Sequence, residues 1–128
     1  MVMFVDQAAD PIWNAALKPP RTDKGWEQIE YHAIQLATTG TLLQVGGTGP
    51  MDMKWTNSPG WVPFTQQMSQ VALAAAEAAR NRNVQALQDA GDQLVLNCEA
   101  CHRQFKPDLP TEGLPTHLSR GIITAPVQ

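Results

Sequence analysis

NVQALQDAGDQLVLNCEACHRQFKP, residues 83–107, carries two patterns laid over each other. The first is a helix. Val84, Leu87, Gly91, Leu94, Cys98, either Cys101 or His102, and Phe105 return at intervals of three and four, which places them on one side of a helical rod. Asn83 is a candidate N-cap, and Pro107 ends the run because it lacks a backbone N–H. The second pattern is Cys98-Glu99-Ala100-Cys101-His102. C-x-x-C-H is the attachment sequence of a c-type haem. Two thiols add across the two porphyrin vinyl groups, and the two residues between them set the reach from one vinyl to the other. The histidine that follows then offers its imidazole to the iron as proximal ligand. The spacing predicts one covalent haem c on the apolar face of its own helix.

Other uses of the same five residues explain less. A redox-active pair of the thioredoxin kind needs cysteines at a helix N-terminus, whereas here a helix runs into the pair from upstream. A structural zinc site needs about four soft ligands. The chain has two cysteines, and His32 and His117 lie far away along it. A disulfide between residues three apart closes a loop too small to stabilise much.

A chain of 128 residues with 43% hydrophobic content is sized for one domain with a modest core. The net charge of −3 gives no reason to expect nucleic acid. Haem propionates would make the loaded chain more acidic, so net charge points to a redox partner with a basic face. No apolar stretch is long enough to span a bilayer. Met1 to Val5 is too short for a secretory leader and lacks a basic start. Haem c is attached outside the bacterial cytoplasm, so the chain reads as a mature domain with an added or restored methionine. The compartment expected is the periplasm, free or tethered to a membrane.

Three further helical segments precede the haem helix, and no strand-like alternation competes with them. The first runs over Gln7 to Leu17, with Asp6 as N-cap, Pro11 inside and Pro19-Pro20 as its stop. The second runs from Asp23 to Val45, with a stripe of Ile29, Ala33, Leu36, Gly40 and Leu43 and a break at Gly46-Gly47. A loop from Thr48 to Asn57 follows. The third starts with Ser58 as N-cap and Pro59 at the first helical position, and carries Phe64, Met68, Val71, Ala75 and Ala79 on one face. Asn81-Arg82-Asn83 turns the chain into the fourth. Short connections predict an all-α, antiparallel up-down-up-down four-helix bundle with a short first helix over residues 1–106. Residues 107–128, with four prolines and no apolar period, read as an extended tail. The haem end is then lined by the start of the first helix, the loop after Val45 and the start of the third helix. Trp55, Trp61 and Phe64 are the expected ring contacts, with Phe105 from the haem helix itself.

Residues 91–106, ending in Cys98-Glu99-Ala100-Cys101-His102-Arg103-Gln104-Phe105-Lys106, resemble the class II cytochromes c, the cytochrome c-prime family. That family shows much the same run, with an aromatic and then a basic residue after the histidine. The Pro59 to Phe64 region, a tryptophan opening a helix after a Gly-rich loop, is also similar. The resemblance covers roughly residues 23 to 106. It implies a four-helix bundle with thioethers at Cys98 and Cys101 and His102 as proximal iron ligand. It also implies pairing of two copies into a homodimer through the first two helices. Where the family carries an arginine and a bulky residue over the iron, the first helix here has no arginine.

The sixth ligand stays open among Met3, Met51, Met53, His32 and none. Met3 would supply a thioether and make a six-coordinate iron; Met1 is its only neighbour of the same type. Met51 and Met53 lie in the loop at the haem end. His32 sits near the start of its helix, about 20 Å away at 1.5 Å per residue. His117 reaches only if the tail folds back, and Met68 suits core packing. The first functional expectation is a one-electron carrier, and the second is a five-coordinate haem protein binding nitric oxide or carbon monoxide. No acid–base pair can be placed over the iron, so an enzyme of the peroxidase kind lacks its equipment.

Overall fold

The computed structural model describes residues 2–108, with side chains from Phe4 onward. The described chain is all-helical, and no strand occurs among the described residues. A π-helical turn, Val2–Asp6, leads into α1 (Gln7–Leu17). Then come α2 (Asp23–Val45), a short α3 (Asp52–Thr56), α4 (Trp61–Arg80) and α5 (Val84–Phe105). The expected tail lies outside the described residues from Leu109 on, as do His117 and the side chain of Met3.

Local chemistry explains most of the boundaries. Thr22 caps α2: its backbone is extended and its hydroxyl accepts the Gly25 N–H at 3.1 Å. Gly46 ends α2 with φ of 85°, a left-handed conformation that glycine adopts without steric cost. Asn83 caps α5 by accepting the Ala86 N–H at 3.0 Å, after Arg82 turns the chain at φ 53°.

Three expectations are corrected. Asp6 does not cap α1. Its backbone is helical (φ −61°, ψ −46°), because the winding has already begun at Val2, so the first helical segment is longer than the sequence pattern suggests. Pro11 consequently falls in a helix interior. Ser58 does not cap the third long helix either. Its hydroxyl donates to the Lys54 carbonyl at 2.6 Å, closing α3, and the helix begins instead at Trp61. The Thr48 to Asn57 segment is not wholly loop, since α3 lies within it. Asp52, in the first turn of α3, accepts the Gly49 N–H at 2.9 Å and so ties the glycine-rich approach to it.

α2 packs on α4, α4 on α5, and α1 on both α2 and α5. Ile12, Ile29, Leu36, Leu87 and Leu94 are the large side chains sealed from solvent. Each is worth roughly 1.5–3 kcal/mol relative to exposure. Alanines at 72, 75, 76 and 79 face the same core and let α4 approach its neighbours closely. Along α2 and α4 the partners run in opposite order. The Arg80 guanidinium meets Glu30 at 2.6 Å, the Ser69 hydroxyl donates to the Ala37 carbonyl at 2.7 Å, and the Trp61 indole N–H donates to the Leu43 carbonyl at 2.7 Å. Along α1 and α5, the Trp13 indole N–H donates to the Gly91 carbonyl at 3.1 Å. The Gln88 amide donates to the Ala16 carbonyl at 3.0 Å.

Candidate functional site

Cys98, Cys101 and His102 occupy the last turns of α5, where helical spacing puts all three on adjoining strips of one face. The face is the inward one. Leu94, one turn earlier, is sealed in the core, and Cys98 packs against that core half-buried. Both cysteines are free thiols. Nδ1 of His102 lies buried.

Around this turn the packing gathers aromatic side chains from α3, α4 and α5. Trp61, at the start of α4, is 3% exposed and held by its bond to Leu43. Trp55 of α3 stacks on it at 5.3 Å and 17° between planes. Phe105 meets Trp61 edge-on at 5.0 Å, and Phe64 meets Phe105 edge-on at 6.3 Å. Both arrangements are favoured by the ring quadrupoles. The Lys106 ammonium stands 5.1 Å from the centre of the Trp55 ring. Asn97 donates to the Phe64 carbonyl at 3.0 Å, and the Gln104 amide lies where a Cβ on Gly60 would stand 2.6 Å from it. The ends of α2, α4 and α5 and the whole of α3 therefore converge here.

Thus Trp55, Trp61, Phe64 and Phe105, named from the sequence as ring contacts, form one cluster at the cysteine end. The Leu43 carbonyl, Asn97, Gln104 and Lys106 complete it and were not singled out. No sequence signal marks them, because their roles arise from which helix ends meet. Met51 and Met53 are exposed, Met53 at 69%, and Met68 is buried among core side chains. His32 is half-buried on α2 with Nδ1 enclosed and no hydrogen-bond partner for that atom among the described residues. Burial pushes its pKa down.

Electrostatics separate the readings of the cysteine pair. Burial, reinforced by the charges of Cys101, Asp6 and Glu99, pushes the Cys98 thiol from 9.0 up to about 12. Burial alone pushes Cys101 up to about 11. A disulfide oxidoreductase needs a thiolate near neutral pH, with its pKa depressed; both thiols here move the other way. Among the described residues no three His, Cys, Asp or Glu converge as ligands of a bare metal ion. A haem does not need them to converge, since its thioethers lie at the porphyrin edge and only the imidazole meets iron. Two free thiols, one imidazole and an apolar ring cluster fit the donor set of a c-type haem.

The raised thiols give an expected pH dependence for the haem-free chain. A group whose pKa rises on folding holds its proton more tightly in the native state. Its contribution is complete below the unfolded value near 9 and is lost as pH climbs toward the folded values of about 11 and 12. The urea midpoint should therefore fall between pH 8 and pH 10.5. Cys98→Ala should flatten that fall, and an equally steep fall in the variant would remove Cys98 as its source.

Among the described residues no helix is long and apolar enough to cross a membrane. Compared with known proteins, the chain matches no family model, no curated protein and no solved structure.

Proposed function

We propose that this chain is a c-type cytochrome, a one-electron carrier with a single covalent haem bound through Cys98 and Cys101 and ligated by His102. The observation that carries this reading is the inward C-x-x-C-H face at the end of α5, opposite the ring cluster built by α3 and α4. When bound, the haem supplies a one-electron iron couple. The chain's own part is to hold it. The thiols anchor the ring edge, His102 takes the iron, and Trp61, Phe64 and Phe105 offer apolar surface that excludes water. The opposed order of contacts along α2 with α4 and α1 with α5 supports an antiparallel up-down-up-down bundle for the long helices, as in cytochrome c-prime. A periplasmic location belongs to the same proposal, because that is where the thioethers are made.

Purified chain denatured in acidic acetone tests it. Pigment that stays with the polypeptide supports covalent haem, and pigment that passes wholly into the solvent ends the proposal.

A second reading has one observation in its favour. The described methionines are either on the surface or in the core, and His32 sits far along α2 from the cysteine turn. An iron without a protein sixth ligand would bind nitric oxide or carbon monoxide. Optical spectra separate the two readings. A far-red sulfur-to-iron band in the ferric form goes with Met3 as ligand and with electron transfer, and Met3→Ala should abolish it. A ferrous Soret band that shifts with low carbon monoxide goes with gas binding.

A further inference from the structure

We propose that Trp61 and the opening turn of α4, residues 60–64, set the position of His102 by clamping the C-x-x-C-H segment at both ends. This rests on the haem reading above, which makes His102 the iron ligand. It gives Trp61 a positioning role beyond that of a ring contact.

Left to itself, the end of α5 has little reason to stay helical. Asn97, Cys98, Cys101 and His102 all belong to the weaker half of the helix formers. No glycine closes the helix. Lys106 stands at its end, with its N–H donating to the His102 carbonyl at 2.7 Å, and Pro107 follows. Glu99 paired with Arg103 at 3.4 Å is a modest local aid, open to solvent at the arginine. Helix ends of this kind fray unless tertiary contacts hold them.

Here those contacts come from one turn of α4, on either side of the five residues. Upstream, the Asn97 amide donates to the Phe64 carbonyl at 3.0 Å. Downstream, the Gln104 amide lies against Gly60, where a Cβ would stand 2.6 Å from its nitrogen. Phe105 meets both Trp61 and Phe64 edge-on. Helical spacing links these anchors to the chemistry. Asn97, Cys101 and Gln104 follow at steps of four and three, and so do Cys98, His102 and Phe105. Each strip carries part of the proposed haem-binding set and ends in a residue that touches α4.

The clamp is itself tied down. Leu43 is in the last turn of α2, where carbonyls lack an intrahelical partner. The indole N–H of Trp61 donates to that carbonyl at 2.7 Å, while its buried ring touches Trp55 and Phe105. Trp61 thus joins the end of α2 to the residue three past His102. Loss of its ring frees Phe105, and loss of its N–H alone loosens the tie to α2.

Hydrogen exchange read by mass spectrometry tests the clamp. The full chain carries Cys98→Ser and Cys101→Ser, so that no thioether holds the segment. Amides of residues 98–106 should exchange slowly in this chain. Trp61→Ala should speed them about tenfold or more, while those of residues 12–16 in α1 change by less than about threefold. Trp61→Phe keeps a ring and loses the N–H, so it should give a smaller acceleration at the same amides. If W61A does not fold, confinement of the W61F effect to residues 98–106 decides the matter. In the pigmented chain, ferric paramagnetic resonance lines should broaden in W61A with covalent pigment retained, because the imidazole takes a range of orientations. Exchange at 98–106 that is already fast, unmoved by W61A, or accelerated equally in α1 would overturn the clamp while pigment held in acidic acetone still upheld the haem. Resonance lines unchanged in W61A would overturn the positioning of His102. Pigment lost to acetone beside the expected exchange pattern would overturn the role given to His102 together with the reading beneath it.

Discussion

Replacing Cys98 and Cys101 together with serine should abolish covalent pigment completely, because a hydroxyl does not add to a porphyrin vinyl as a thiol does. Each single variant should keep one link and therefore stay coloured in acidic acetone. The fold should persist in all three. Both positions are only half-buried near a helix end, where a serine hydroxyl can bond back to the carbonyl one turn earlier, at a cost of about 1 kcal/mol each. His102→Ala should behave differently, retaining the colour with both thioethers intact but with a changed spectrum, since the iron loses its imidazole. The contrast between loss of attachment and loss of ligation is the diagnostic. A double-serine chain that still held pigment after denaturation would show that these thiols are not the anchors.

Gly40→Val should lower stability by about 3 kcal/mol, the upper part of the usual cost of overpacking a filled core. A Cβ at residue 40 would lie 2.6 Å from the Thr65 carbonyl oxygen and closer still to the Ser69 hydroxyl. The serine can turn away only by giving up its bond to the Ala37 carbonyl. The Thr65 carbonyl is backbone and cannot turn away. α2 and α4 must therefore separate, loosening the contact that also positions Leu43 beneath Trp61. For a chain of this size, a melting point lower by roughly 10 °C is expected. Gly40→Ala should show a smaller loss, partly offset by alanine's better helix propensity. A melting point unchanged in both would mean the helices are not held at this distance by the missing side chain.

How much was legible in advance differs from element to element. The runs Gln7–Leu17 and Asp23–Val45 and the cysteine-bearing helix from Val84 were readable because apolar spacing and prolines act over one or two turns. So was the cap at Asn83. The start of α4 was not. Ser58-Pro59 has the composition of a helix start, yet the preceding α3 takes the serine hydroxyl for its own last turn. A five-residue helix has no period to detect, so nothing announced α3. Asp6 failed as a cap for a related reason, since the turn before it was already wound.

At the candidate site, the chain's letters alone carry the expectation of haem attachment. Two sulfurs and an imidazole sit at the spacing that the proposed haem attachment requires, on a helix face that turns inward because its other members are apolar. These are local properties, decided by 3.6 residues per turn and by which atoms are nucleophilic. Only the tertiary structure decides what surrounds them. Leu43, Trp55, Trp61, Phe64, Asn97 and Phe105 come from four helices, and they meet because α2, α4 and α5 pack so that those ends coincide. The same packing brings Asp6 close enough to act on Cys98 and stands the Lys106 ammonium over Trp55. Charge in sequence is a sum, whereas charge in space has direction.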